Sequence, residues 1–244
     1  IIAAILNILL DLYFITQLHL GVQSAGIATI IAQGISALLC LLYIRKKVPF
    51  LLPHRKDFVW DKELYQDLLS QGLAMGLMTS IVSIGTVILQ SAINQLGTTI
   101  ISAQVAARRI MSFAVLPITA IASSITTFIS QNFGAEQFQR IKKGVTIANL
   151  LSWVWSVLVA ALLFFTSPSL TSFISGSTNP DLIANASLYL QISSCFYPIL
   201  ASLIILRNAL QGMGKKLTPL TSSFIELFGK IFFVLWIIPH TGYM

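Results

Sequence analysis

Charged side chains are scarce in this sequence. They make up 9% of the 244 residues, whereas hydrophobic residues make up 56% and the mean hydropathy is +0.84. A soluble domain carries about a quarter charged residues, so this composition excludes an ordinary water-soluble protein. Uncharged runs extend over residues 68–107, 144–180 and 182–206. Because about 20 apolar residues in a helix cross a bilayer core, we expect an integral membrane protein.

Residues suited to catalysis or metal binding are also few. The two cysteines, Cys40 and Cys195, lie inside apolar segments, and the three histidines are scattered along the chain. The sequence contains no HExxH, CxxC, P-loop or GxSxG pattern. We therefore expect neither an enzyme nor a bound cofactor or metal.

Turn signals divide the chain into seven apolar segments. Short runs that contain Gly, Pro, Asn or Ser separate these segments. Transmembrane β-strands would show about ten residues of alternating polarity, whereas these segments are longer and apolar throughout. The sequence therefore predicts an all-α fold, a polytopic transmembrane helical bundle. The predicted spans are residues 1–17, 25–44, 72–94, 108–130, 144–166, 184–206 and 217–239.

The basic residues predict which side of the membrane each loop occupies. Twelve of the fifteen Lys and Arg residues follow the second, fourth and sixth spans, and the loops on the opposite side contain none. The positive-inside rule places the basic side in the cytoplasm of a cell-membrane protein. This asymmetry explains the net charge of +7, so we expect a lipid bilayer as the partner and no nucleic acid. The predicted cytoplasmic loops are residues 45–71, 131–143 and 208–216.

One acidic residue lies deep in a complete span. Glu226 and Lys230 fall near the middle of the seventh span, four residues apart, and therefore share one face of a helix. Each charge costs about 2.5–3.5 kcal/mol at the centre of a membrane helix. Two interpretations stay open at this point. The pair is either a structural ion pair whose charges neutralise each other or a cation or proton site that faces a wet cavity.

Several motifs together resemble the MATE family of multidrug and toxin extrusion transporters. The first, LNILLDLYFI followed by LGVQSAGIATIIAQ (6–33), is similar to the fifth and sixth helices of the family. The next two, LQSAINQLGTTIISAQVAARRI (89–110) and ISQNFGAEQFQRIKKG (129–144), resemble the seventh and eighth helices. The last, RNALQGMGKKLTP (207–219), resembles the turn between helices ten and eleven. Their order and spacing carry the resemblance.

The resemblance implies a fragment of a twelve-helix transporter built from two bundles. Residues 1–44 would be the last two helices of the N-terminal bundle, residues 45–71 a basic cytoplasmic linker, and residues 72–244 helices seven to eleven of the C-terminal bundle. The family exports cationic or amphipathic organic compounds in exchange for sodium ions or protons. We therefore expect an antiporter without a cofactor, monomeric at full length.

The resemblance also implies three sets of site residues. Glu226 and Lys230 would couple cation movement, since the third span lacks the acid that some subfamilies carry there. The hypothesis for the substrate cleft includes Gln90, Asn94, Gln104, Arg108 and Tyr197. Arg108 also fits an interfacial anchor. The residues predicted at conformational turns are Gln131, Asn132, Gly134, Arg207, Gln211 and Gly212.

Three alternatives stay open. A lipid-linked oligosaccharide flippase of the same superfamily would line its cleft with many basic residues, and few lie at depth here. A seven-helix receptor or photoreceptor would account for a lysine in the last span, but the third span has no counter-ion carboxylate. A membrane enzyme lacks a nucleophile–base pair.

The predicted orientation can be tested by thiol labelling in intact cells. Single cysteines at Gln137 and Gly214 should be protected from an impermeant reagent, whereas a cysteine at Ser177 should react, because the first two lie on the basic side. Labelling of the first two positions and protection of the third would reverse the topology.

Overall fold

The computed structural model describes residues 2–19, 21–237 and 240, and within them every regular element is a helix. This confirms the predicted all-α fold. A π-helical segment, Phe233–Ile237, continues the last helix. The helices are α1 (Ile2–Thr16), α2 (Gln23–Lys47), α3 (Lys62–Ile93), α4 (Thr98–Gly134), α5 (Phe138–Ser175), α6 (Pro180–Cys195), α7 (Tyr197–Gly212) and α8 (Leu217–Phe232).

The helix lengths suit a membrane protein. Within the described residues, α2, α3, α4, α5 and α8 with its π-helical continuation are long and apolar enough to cross a bilayer, and α6 with α7 forms a sixth such unit. The first predicted span corresponds to α1, a shorter apolar helix. Residues 1, 238 and 239 of the predicted spans, and residues 241–244 of the predicted C-terminal bundle, lie outside the described residues.

The span predicted over residues 184–206 consists of two helices. The axes of α6 and α7 meet at 55° across Phe196. Pro198 lies in the first turn of α7, where the amide proton that it lacks is not needed for a helical hydrogen bond. The proline therefore begins a new helix. Pro117, by contrast, lies inside α4, which continues through it.

The chain forms two compact units, Ile1–Lys62 and Glu63–Met244. In the first unit α1 contacts α2, and the Asn7 amide donates a hydrogen bond to Thr29 Oγ1 at 3.3 Å. Helix α3 begins at Lys62, the last residue of the first unit, and continues through the second unit. It begins ten residues before the predicted span, so helix occupies the last part of the predicted linker 45–71. Six of these ten additional residues are polar or charged, in keeping with a helix that extends beyond the hydrocarbon core.

The core of the second unit is built around α4. Its buried residues recur every three or four positions from Ala103 to Asn132, so that one stripe of the helix faces its neighbours. The half of the stripe nearer Ala103 packs with α5, α6 and Tyr197 of α7, and the other half packs with α5 and α7. Two indole N–H groups add links from α5, Trp155 to the Ala114 carbonyl at 2.9 Å and Trp153 to Ser202 Oγ at 2.7 Å. These contacts join α4, α5, α6 and α7 into one four-helix core.

A close approach of backbone to backbone in this core joins the ends of α4 and α7. A Cβ atom on Gly212 would lie 2.8 Å from the backbone oxygen of Thr126 and 3.3 Å from Ile129. Across the same crossing the Ser130 hydroxyl donates to the Gly212 carbonyl at 2.9 Å, and the Thr126 hydroxyl lies 3.1 Å from Asn208 Oδ1. Only glycine leaves room for both the contact and these hydrogen bonds.

Replacing Gly212 should therefore destabilise the protein. We expect Gly212→Ala to lower the free energy of unfolding by about 1–3 kcal/mol, because an added methyl group is forced against backbone. Thermal unfolding of the purified protein in detergent measures this change. Gly134→Ala is the matched control, since a Cβ there meets nothing within 4 Å. Equal unfolding temperatures for both variants would contradict the tight crossing.

Candidate functional site

A cluster of three charged side chains joins α7 to α8. Lys230 Nζ lies 2.8 Å from Glu226 Oε1, and Arg207 Nη2 lies 3.3 Å from Glu226 Oε2. The same Arg207 nitrogen donates to Ser222 Oγ at 2.9 Å. We call these four residues the charge cluster. It holds two cations against one carboxylate.

Helix geometry places the members of the charge cluster together. Ser222, Glu226 and Lys230 repeat at every fourth position of α8, which aligns them on one face. Arg207 reaches that face from the last two turns of α7. The side chains of Arg207, Glu226 and Lys230 are only 15%, 29% and 24% exposed. Such enclosure makes pairing necessary, because an isolated charge inside a membrane is costly.

The third wall of the charge cluster is α3. A Cβ atom on the buried Gly85 would lie 2.9 Å from Lys230 Cδ and 3.2 Å from Leu227 Cδ1. The absence of a side chain at Gly85 therefore lets the stem of Lys230 pass against α3. The Lys230 ammonium is held beside Glu226 by packing as well as by charge.

The contact of Arg207 with Glu226 was not predicted from the sequence. Arg207 was expected at a conformational turn, whereas the structure places it inside α7 and pairs it with Glu226. Two signals were available in the sequence. Arg207 ends the long uncharged run 182–206, and Ser222 extends the repeat of polar residues at every fourth position through Glu226 and Lys230.

The five residues proposed for a substrate cleft occupy three places. Gln90 Nε2 donates to Asn94 Oδ1 at 2.9 Å at the end of α3. Gln104 is buried in α4, and Arg108 is half-buried one turn further along the same helix. Tyr197 is 1% exposed and packs in the core with α4, α5 and α6. Among the described residues, no hydrogen bond joins these three places.

The residues proposed for conformational turns lie in the last turns of two helices. Gln131, Asn132 and Gly134 end α4, and Gln211 and Gly212 end α7. The Asn132 amide donates to the Phe128 carbonyl at 2.7 Å, and its backbone oxygen accepts from Gln137 at 2.8 Å. The structure brings the two ends together through the contact of Gly212 with Thr126 and Ser130.

A second set of contacts joins α3 to the turn between α7 and α8. Lys216 Nζ lies 3.4 Å from Asp67 Oδ1 and also donates to Ser70 Oγ. Gln211 Nε2 lies 3.5 Å from Met78 Sδ. Between these contacts is a narrow pocket of about 20 Å³, enough for about one water molecule. In the part of the chain that the structure describes, no three His, Cys, Asp or Glu side chains are grouped to hold a metal ion.

Comparison with known proteins identifies the family. A family model described as MatE matches residues 74–236, which is more than half of the chain and includes the whole charge cluster. The chain belongs to the MatE family. This confirms the resemblance drawn from the sequence motifs, and it makes this MatE chain part of a multi-pass membrane protein.

Two curated relatives show how much of a MatE protein the chain covers. The probable multidrug resistance protein YpnP of Bacillus subtilis is 28% identical over 92% of this chain and 49% of its own length. The FAD transporter of Shewanella oneidensis is 27% identical over 92% of this chain and 50% of its own length. The chain therefore spans about half the length of the relatives that it matches.

Solved structures show the same fold. A mutant of the Vibrio cholerae MATE transporter VcmN superposes with a TM-score of 0.86 at 22% identity, over 99% of this chain and 55% of that one. A multidrug resistance MATE family transporter in an outward-facing conformation superposes with a TM-score of 0.85 at 20% identity, over 96% of this chain and 54% of that one. At these identities the likeness establishes the helical transporter fold alone.

The contact of Gly85 with Lys230 provides a test of the charge cluster. We expect Gly85→Leu to lower the free energy of unfolding by about 1–3 kcal/mol, because the new side chain displaces the stem of Lys230 and overpacks the boundary between α3 and α8. Gly76→Leu on the same helix is the control, since a Cβ there meets nothing within 4 Å. Thermal unfolding in detergent measures both variants. A stable Gly85→Leu protein would show that α3 does not pack against the cluster.

Proposed function

We propose that this chain is part of a secondary active exporter of cationic or amphipathic organic compounds, driven by the exchange of sodium ions or protons. Membership of the MatE family supports export, and multidrug resistance and FAD transport are the activities in its relatives' names. The coverage of about half of each relative supports a longer protein with twelve helices in two bundles. The chain would contribute helices five to eleven, work as a monomer and need no cofactor.

The charge cluster is the observation that carries an ion-coupled mechanism. An ionised carboxylate inside a membrane span is costly, so Glu226 requires a positive partner in every state of the transport cycle. In the described structure Lys230 and Arg207 supply it. In another state a sodium ion or a proton would take over part of that role. Exchange of partners at Glu226 then links ion movement to helix movement.

The substrate would bind in the cleft between the two bundles. We propose Gln90, Asn94, Gln104, Arg108 and Tyr197 as the residues that line it. For Gln104 and Tyr197, binding of substrate would require the surrounding helices to move apart. Both residues are buried, and each carries a polar atom without a hydrogen-bond partner. Buried polar groups are normally satisfied, so a conformation that opens the core beside them would supply the missing partners.

Replacement of Glu226 tests the coupling role. We expect Glu226→Gln in the full-length protein to reduce ion-driven efflux about tenfold or more while expression is retained, because glutamine neither binds a proton nor carries the charge that attracts sodium. Transport of a fluorescent amphipathic dye into everted vesicles under an imposed sodium or pH gradient measures the loss. Glu136→Gln, at an exposed acid between α4 and α5, is the matched control.

A double variant separates coupling from a structural ion pair. Glu226→Gln combined with Lys230→Met keeps the net charge of the cluster at +1, as in the natural protein, since one negative and one positive charge are removed together. A structural pair predicts that this double variant pumps normally. Ion coupling predicts that it remains inactive. Normal pumping would therefore contradict the role proposed for Glu226.

A further inference from the structure

The two cations of the charge cluster are not equivalent partners of Glu226. Lys230 lies on the same helix as Glu226, one turn away, at 2.8 Å, and Gly85 of α3 provides the space in which its stem packs. Arg207 lies on a different helix, at 3.3 Å. It makes its shorter hydrogen bond to the neutral Ser222, at 2.9 Å. Both contacts of Arg207 therefore cross from α7 to α8, whereas the contact of Lys230 with Glu226 lies within α8.

The helices that carry the two cations have different neighbours, apart from the contact of Gln211 at the end of α7 with Met78 of α3. The end of α7 is fixed to α4 by the crossing of Gly212 with Thr126 and by the hydrogen bond from Ser130. The beginning of α8 is tied to α3 through Lys216. A shift of α3 with α8 against the four-helix core would change the distance from Arg207 to Glu226. The same shift would leave the distance from Lys230 to Glu226 unchanged.

Electrostatics requires one of the two contacts to open. Arg207 and Lys230 together outweigh the single charge of Glu226. The cluster therefore repels any further cation, because like charges raise the cost of binding. The charged groups that face Glu226 are Lys230 from its own helix and Arg207 from α7. The α3 residue beside the cluster is Gly85, and the charged residues of α3 lie near its start, from Lys62 to Asp67. A sodium ion or proton therefore gains access to Glu226 when one cation withdraws.

From these contacts we infer that Arg207 is the partner that withdraws from Glu226 when the coupling cation binds, while Lys230 stays. Arg207 is thus a positioning residue that sets the affinity of Glu226 for the coupling ion. This inference rests on the proposed function, in which Glu226 binds that ion. It goes further by assigning the competition to one side chain on α7.

Ion-dependent thermal unfolding of the purified full-length protein tests the inference without any need for transport. A ligand at concentration c that binds only the folded state raises the free energy of unfolding by RT ln(1 + c/Kd). A fit of this relation gives Kd, which is the half-maximal concentration for occupancy of the site. Sodium chloride is titrated at fixed pH against choline chloride, and pH is titrated separately in sodium-free buffer, so that the two ions are distinguished. The variants are Arg207→Gln, Arg207→Lys, Glu226→Gln and the control Glu136→Gln, at an exposed acid outside the charge cluster.

The expected result is tighter ion binding once the competitor is removed. In Arg207→Gln the sodium or proton concentration that gives half-maximal occupancy should fall about tenfold, in keeping with the loss of one nearby charge. Arg207→Lys should restore the natural value within about threefold, and Glu136→Gln should leave it nearly unchanged. Glu226→Gln should abolish the ion response. A merely structural Arg207 would lower the unfolding temperature in the absence of ions without changing the half-maximal concentration.

Two outcomes would overturn the inference, and they are distinguishable. If Arg207→Gln leaves the half-maximal concentration unchanged while Glu226→Gln abolishes the response, Glu226 binds the ion and Arg207 is not its competitor. If the response persists in Glu226→Gln, or if the natural protein shows none, the coupling site itself is wrong and the inference fails with it.

Discussion

The neutralisation of one carboxylate inside an apolar helix constrains much of the second unit. Glu226 lies on α8 among residues that are mostly Leu, Ile and Phe, and a charge in that setting requires nearby positive groups. Lys230 must occupy the same helix face, Arg207 must reach across from α7, and Gly85 must lack a side chain so that Lys230 fits. The helices α3, α7 and α8 therefore meet around the side chain of Glu226.

The two parts of the second unit are held together by different forces. The four-helix core of α4, α5, α6 and α7 depends on small and branched residues packed at close range, with a close crossing of backbones at Gly212. The link from that core to α8 is a set of polar contacts centred on Arg207. Close packing resists small displacements because interiors have few voids, whereas an ion pair in a partly exposed setting exchanges partners readily. We therefore expect the core of α4, α5, α6 and α7 to stay rigid and its link to α8 to rearrange.

Hydropathy was enough to predict the helical fold. Of the charge cluster, only the contact between Glu226 and Lys230 was predicted. Apolar runs of membrane length identified the helices, since in a bilayer the backbone has few other ways to satisfy its hydrogen bonds. The spacing of Glu226 and Lys230 predicted their contact, because residues four apart on a helix are neighbours. Arg207 was missed because its partner is nineteen positions away in sequence on another helix, and periodicity within one helix says nothing about which faces meet. The break at Phe196 was missed because Pro198 is compatible with either a kink or a helix start.

The bend between α6 and α7 has a consequence for how the chain enters the membrane. Each half contains 16 residues, which at 1.5 Å per residue gives about 24 Å, less than the hydrocarbon thickness of about 30 Å. Neither half is long enough to insert by itself as a stable span. We therefore expect the translocation machinery to handle residues 180–212 as one hydrophobic segment, with the 55° angle as a property of the folded state.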